Sequence, residues 1–125
     1  MEFRQSHCVL AAIAGAILGA LALAPAAAAP SEGQKLAQQH CEQCHEIKGI
    51  QDFGNIGPSL IEVKKRYPDR KAVAAIIYDE TKLNPQTVML PFGRNLILTK
   101  KEIDVIVDYL YAQYQSLRSN EERVQ

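Results

Sequence analysis

Cys41, Glu42, Gln43, Cys44 and His45 follow one another as C-x-x-C-H, and no other short run restricts this chain as much. On a helix, positions i and i+3 share a face about 4.5 Å apart along the axis, and i+4 joins them. The motif therefore gathers two thiols and an imidazole on one side. A bridge between the two cysteines would join adjacent turns and constrain almost nothing. With three cysteines in 125 residues, the chain is not a scaffold held by several disulfides.

The N-terminal segment sets the compartment. From Cys8 to Ala29 there is no charge; Met1, Arg4 and His7 precede the run and Ala26-Ala27-Ala28 closes it. A cationic start, an apolar centre and a small-residue exit are the layout of a secretory signal. Pro30 is a poor first mature residue, so cleavage is expected after Ala28, making residues 1–28 the signal and leaving 97. The rival is a retained anchor, since the stretch is long enough to span a bilayer and Gly15 and Gly19 form a G-x-x-x-G. Its Ala-rich composition and cleavage pattern favour removal. Cys8 lies before the apolar core, does not suit lipid attachment and leaves with the signal. The expected product is periplasmic and free of the membrane, with Cys41 and Cys44 as its cysteines and Met89 as its one methionine.

Three helical patterns follow. Ser31 caps a first helix expected over residues 32–45, with Leu36, Ala37, His40, Cys41 and Cys44 on one side. Asp69 caps a second, carrying Val73, Ala74, Ile76 and Ile77 ahead of Tyr78 and Asp79. Thr99 and Glu102 form a capping box for the third, where Ile103, Ile106, Val107, Leu110 and Tyr111 recur at helical spacing. Turn-rich links separate them: Lys48-Gly49, Gly54-Asn55-Ile56-Gly57-Pro58, Leu83-Asn84-Pro85 and Leu90-Pro91-Phe92-Gly93. Val, Ile and Thr never alternate as strands require. The fold class is all-α, with one domain over 29–117 and a charged tail over 118–125 expected to fray. A domain this small buries little apolar area by itself, so a cofactor at its centre is expected.

Two thiols at i and i+3 match the two vinyl groups on neighbouring pyrroles of one haem, and His45 reaches its iron; behind an export signal the C-x-x-C-H reads as covalent haem attachment. A thioredoxin-like pair needs a β-α-β setting that is missing. Zinc needs four ligands, and the mature chain offers Cys41, Cys44, His45 and the badly placed His40. Met89 stands forty-four residues after His45 in Thr87-Val88-Met89-Leu90-Pro91-Phe92-Gly93, and supplies a sixth ligand whose thioether favours ferrous iron. Pro58 keeps a carbonyl that accepts from the His45 imidazole and fixes its tautomer. His40, next to a thioether cysteine, is held at the ring's rim.

Equal counts of Lys+Arg and Asp+Glu, 14 each, leave no charge excess for nucleic acid. Lys64-Lys65-Arg66 with Arg70 and Lys71 is the one basic cluster; it reads as a solvated helix face, with docking of an acidic partner as the sharper option. No nucleophile with its base and no carboxylate pair appears.

At this point the mature chain resembles the small monohaem c-type cytochromes, through Gly33 and Leu36 before the motif, Gly57-Pro58-x-Leu60, the Met89 loop and Tyr109-Leu110. That resemblance implies a small cytochrome c fold, one covalently bound haem c, and a close crossing of the first and last helices with Gly33 against Tyr109. A narrower likeness runs from Asn84 to Tyr111: Asn84-Pro85-x-Thr87-Val88-Met89, Pro91-Phe92-Gly93-Arg94-Asn95, Leu98-Thr99 and Glu102-Ile103, with Asp79 ahead. This is similar to SoxX, the small haem subunit of the SoxAX sulfur-oxidation cytochrome, except that Leu90 stands where that family commonly shows a second Pro. The likeness implies a heterodimer with a SoxA-like haem subunit, a SoxYZ-like carrier whose cysteine receives thiosulfate, and a downstream cytochrome acceptor. The chain would be the non-catalytic electron-transfer subunit of an L-cysteine S-thiosulfotransferase. The alternatives are an independent periplasmic electron carrier and a haem-free C-x-x-C redox or binding module.

Overall fold

Ser31 begins the first helix of the computed structural model, which describes residues 29–48 and 54–124. Its hydroxyl accepts from the Gln34 amide at 3.2 Å, satisfying one of the orphan donors of helix α1, Glu32–His40. A single turn, α2, spans Val63–Arg66. Helix α3 covers Arg70–Asp79, capped by the Asp69 carboxylate on the Lys71 amide at 2.9 Å. A 3-10 turn over Glu80–Lys82 follows directly, and α4 occupies Lys100–Val124. No strand occurs among the described residues. The expected signal segment lies outside them.

Helix α4 organises the rest. The capping box at its start is formed: the Thr99 amide donates to Glu102 Oε2 at 2.7 Å and the Glu102 amide to Thr99 Oγ1 at 3.3 Å. Its buried face consists of Ile103, Ile106, Val107, Leu110 and Gln113, and α1, α2 and α3 all pack on it. Each fully buried aliphatic side chain there stabilises the fold by roughly 1.5–3 kcal/mol. Gly33 of α1 is where the crossing is tightest. A Cβ at that position would meet the Val105 carbonyl oxygen and lie 2.7 Å from Tyr109 Cβ. Glycine lets the two backbones approach, as expected of Gly33 and Tyr109.

Two elements differ from the sequence reading. Helix α1 stops at His40, not at residue 45, and Cys41–His45 continue as turns in which the Cys44 and His45 amides both donate to the Cys41 carbonyl at 3.1 and 2.9 Å. The next loop packs back on this stretch. The amides of Gly54 and Gly57 donate to the carbonyls of Glu42 and Cys44 at 2.9 and 2.8 Å. Gly54 lies directly against the Gln43 backbone, so the motif is held as turns by a distant segment. At the other end, residues 118–124 are helical and exposed, where a frayed tail was expected. Arg118 pairs with Glu122 at i,i+4, and Arg123 donates to the Ser119 carbonyl at 3.1 Å, so local contacts extend the helix beyond the packed domain.

The basic cluster is largely occupied locally. Lys64 Nζ lies 5.7 Å from the centre of the Tyr111 ring, Lys65 pairs with Glu62, and Arg66 donates to the Ser59 carbonyl. Arg70 pairs with Asp108 of α4. The Tyr111 hydroxyl donates to the Tyr67 carbonyl at 2.5 Å, tying α4 to the segment between α2 and α3.

Candidate cofactor site

A cleft of about 620 Å³ opens between the end of α1, the α2–α3 segment and the loop before α4, within the size range of cofactor sites. Cys41, Cys44 and His45 line one side. Val63, Val73, Ile77 and Leu110 form its apolar depth, and Met89, Leu90 and Phe92 come from the loop after α3. Residues separated by more than forty positions in the sequence are therefore brought to one space. Pro58 and His40 line it too.

The imidazole of His45 is held by its neighbours. Its Nδ1 lies 2.7 Å from the Pro58 carbonyl oxygen. A carbonyl can only accept, so Nδ1 carries the proton and Nε2 keeps the lone pair that a metal takes. Gly57 passes against the same ring, where a Cβ would collide with Cε1 and stand 2.6 Å from Nδ1. The loop thus fixes the ring's tautomer through one residue and its position through the one before.

The thiols differ. Cys41 is buried and unbridged; Cys44 is half-buried and also unbridged. Burial, with the neighbouring Cys44 adding to it, pushes the Cys41 thiol up to about 12. A thiol so raised is a poor thiolate at neutral pH. Across the cleft, Met89 is half-buried against the apolar core, and its amide donates to Thr87 Oγ1 at 3.1 Å. His40 sits edge-on to Phe92, with ring centroids 5.9 Å apart at 73°. It braces the methionine-bearing loop from the rim.

These residues fit a haem. The donor set is two thiols, one imidazole with its outer nitrogen hydrogen-bonded, and one thioether, around a largely apolar space. Glu80 Oε2, buried at the cleft wall, has no partner among the described residues, so a polar group belonging to an occupant would satisfy it.

Sequence reasoning named Asp79 and Arg94 only within a likeness and missed their pairing: with Thr81 they bond to one another beside the methionine loop. One signal was available. A carboxylate at the C-terminal end of an otherwise apolar helix opposes the helix dipole, and so calls for a cation from elsewhere in the fold.

No curated protein matches the chain significantly. Residues 30–113, two thirds of the sequence, match the Cytochrome c family. The matched span begins just before the Ser31 cap and ends at Gln113, the last buried residue of α4. It contains both thiols, the hydrogen-bonded imidazole and the thioether of the cleft. With no strand among the described residues and a family that carries covalently bound haem, this chain belongs to the cytochrome c family as an all-α, electron-transfer haem protein.

Proposed function

We propose that the chain is the electron-accepting haem subunit of a thiosulfate-oxidising complex, similar to SoxX. In this reading Cys41 and Cys44 would hold one haem through two thioethers, and His45 and Met89 would supply ligands to its iron. The bound group supplies a one-electron iron couple. The observation that carries the ligand assignment is the cleft itself, which brings these four side chains to one apolar space.

The chain's residues tune that couple in opposite ways on its two sides. The Pro58 carbonyl strengthens His45 as a donor by accepting from Nδ1–H. The thioether of Met89 favours the ferrous state and raises the potential. Val63, Val73, Ile77 and Leu110 keep water from the deep wall. With His45 and Met89 both held to the iron, small oxidants would find no open site, which suits a relay.

The sulfur-oxidation reading is supported by the likeness from Asn84 to Tyr111 and by Asp79 ahead of it. It gives the chain a SoxA-like haem partner at which thiosulfate is joined to a cysteine of a SoxYZ-like carrier, with the electrons leaving through this haem to a downstream cytochrome. The apolar N-terminal segment supports export to the periplasm and cleavage after Ala28. An independent carrier would use the same site without an obligate partner.

Purification from native periplasm tests the assignment. Co-purification with a larger haem subunit, together with thiosulfate-dependent reduction in the presence of the carrier, is the expected result. A haem-bearing chain that purifies alone and is not reduced in the reconstituted system is an independent carrier. Colourless material after proper export removes both.

A further inference from the structure

Asp79 is the one buried charged residue among those described, its side chain 1% exposed. A carboxylate persists in such a place only when paired and hydrogen-bonded. Its Oδ1 accepts from the Thr81 hydroxyl at 2.5 Å and its Oδ2 faces Arg94 Nη1 at 3.2 Å. The same Nη1 donates to Thr81 Oγ1 at 2.9 Å. Beside this triangle, the amides of Gly93 and Arg94 both donate to the Tyr78 carbonyl at 3.1 Å.

The other end of the same loop is tied a few residues away. The amides of Leu83 and Asn84 donate to the Glu80 carbonyl at 3.0 and 2.9 Å. Residues 83–94 therefore leave from, and return to, the stretch 78–81, in the manner of a closed Ω-loop. Met89 stands at mid-span. Met89 packs against the core and its neighbours Val88 and Leu90 line the cleft, so the loop's two fastened ends hold it at the cleft's edge.

We propose that Asp79 and Arg94 are positioning residues for Met89. Their ion pair, completed by Thr81, closes the loop and thereby sets how readily the thioether leaves the cleft. This rests on the reading of Met89 as a ligand. Releasing the latch costs the loop a charge-assisted hydrogen bond. The fraction of molecules with Met89 displaced should then rise by about tenfold or more.

Imidazole binding to the ferric, fully matured protein, followed by visible absorbance, measures that fraction. Arg94→Gln removes the pair and leaves the Asp79 carboxylate without its cation, so a thermal melt of the matured variant establishes first that it is folded, and Thr81→Val is the second probe. Both are expected to raise imidazole affinity about tenfold or more, approaching Met89→Ala. In a Met89→Ala background, Arg94→Gln should change nothing further, because no thioether remains to be positioned. Affinities within twofold of wild type for both probes, while Met89→Ala binds tightly, would overturn the proposal and leave the ligand assignment standing. An equal effect of Arg94→Gln with and without Met89 would overturn it too. If Met89→Ala itself leaves imidazole affinity unchanged, the ligand assignment fails and takes the latch with it.

Discussion

The Nδ1 atom of His45 lies 2.7 Å from the carbonyl oxygen of Pro58, thirteen residues further on, and Gly57 passes directly against the same ring. Replacing Gly57 by Ala pushes a methyl group into the imidazole. The ring must turn or the loop must yield, and either breaks the alignment with Pro58. Expected for Gly57→Ala are a lower yield of haem-bearing protein and a loss of about 1–3 kcal/mol of stability. Denaturant titration of the matured protein checks the second, and a midpoint equal to wild type would show that the ring is not confined here.

On the proposed reading of Met89 as a ligand, Met89→Ala should keep the covalently attached haem while removing the donor that favours ferrous iron. A lower reduction potential is the expected outcome, read by spectroelectrochemistry. A potential unchanged from wild type would mean that another group takes the sixth position.

Gly33→Ala places a methyl against the Val105 carbonyl and Tyr109 Cβ, neither of which is a flexible side-chain end. Separating α1 from α4 should cost about 1–3 kcal/mol, and each 1 kcal/mol lowers Tm by about 4–8 °C in a domain of this size. Thermal melting followed by circular dichroism is the measurement; a shift under 2 °C would show that the helices part cheaply.

Leu96 has φ 57°, the left-handed region, with its side chain 89% exposed. That conformation costs a branched L-residue about 1–2 kcal/mol, and exposure leaves no packing to offset it. Leu96→Asn, which tolerates the region, is expected to raise stability by about 1 kcal/mol. Chemical denaturation decides it, and a destabilised variant would reveal packing that the exposure does not suggest.

Glu102 gives the acid limb of the stability curve its sign. Hydrogen bonds from the Thr99 amide, and then from its hydroxyl, hold the carboxyl below the ordinary Glu value. The unfolded chain therefore takes up the proton first as pH falls. The contribution is complete above about pH 4.3, the unfolded value, and is lost as pH drops through the folded one. Glu102→Gln should be less stable than wild type at neutral pH, with the difference shrinking below about pH 4. A difference that stays constant down to pH 2 would contradict this.

The helices were legible because their signals are local. Ser31, Asp69 and the Thr99–Glu102 pair each announce a start, and Ile103, Ile106, Val107 and Leu110 mark a face by spacing alone. The C-x-x-C-H was legible as a chemical set, yet its backbone was misjudged. Helix α1 ends at His40, and the turns after it are held by the loop of Gly54 and Gly57, whose amides bond to the carbonyls of Glu42 and Cys44, a contact between distant segments that no local pattern records. The Asp79–Arg94 pair was hidden for the same reason: fifteen residues separate them, and only the return of the methionine loop brings them together.

Helices α1 and α3 both rest on α4, and each leads into one jaw of the cleft: Cys41–His45 from the first, the Met89 loop from the second. The spacing of those jaws is thus gauged by a helix that carries no cysteine, histidine or methionine. Ile106 and Val107, wholly enclosed on that helix, work like the spindle of a caliper. A change of bulk at either would open or narrow the cleft without altering a single residue that lines it.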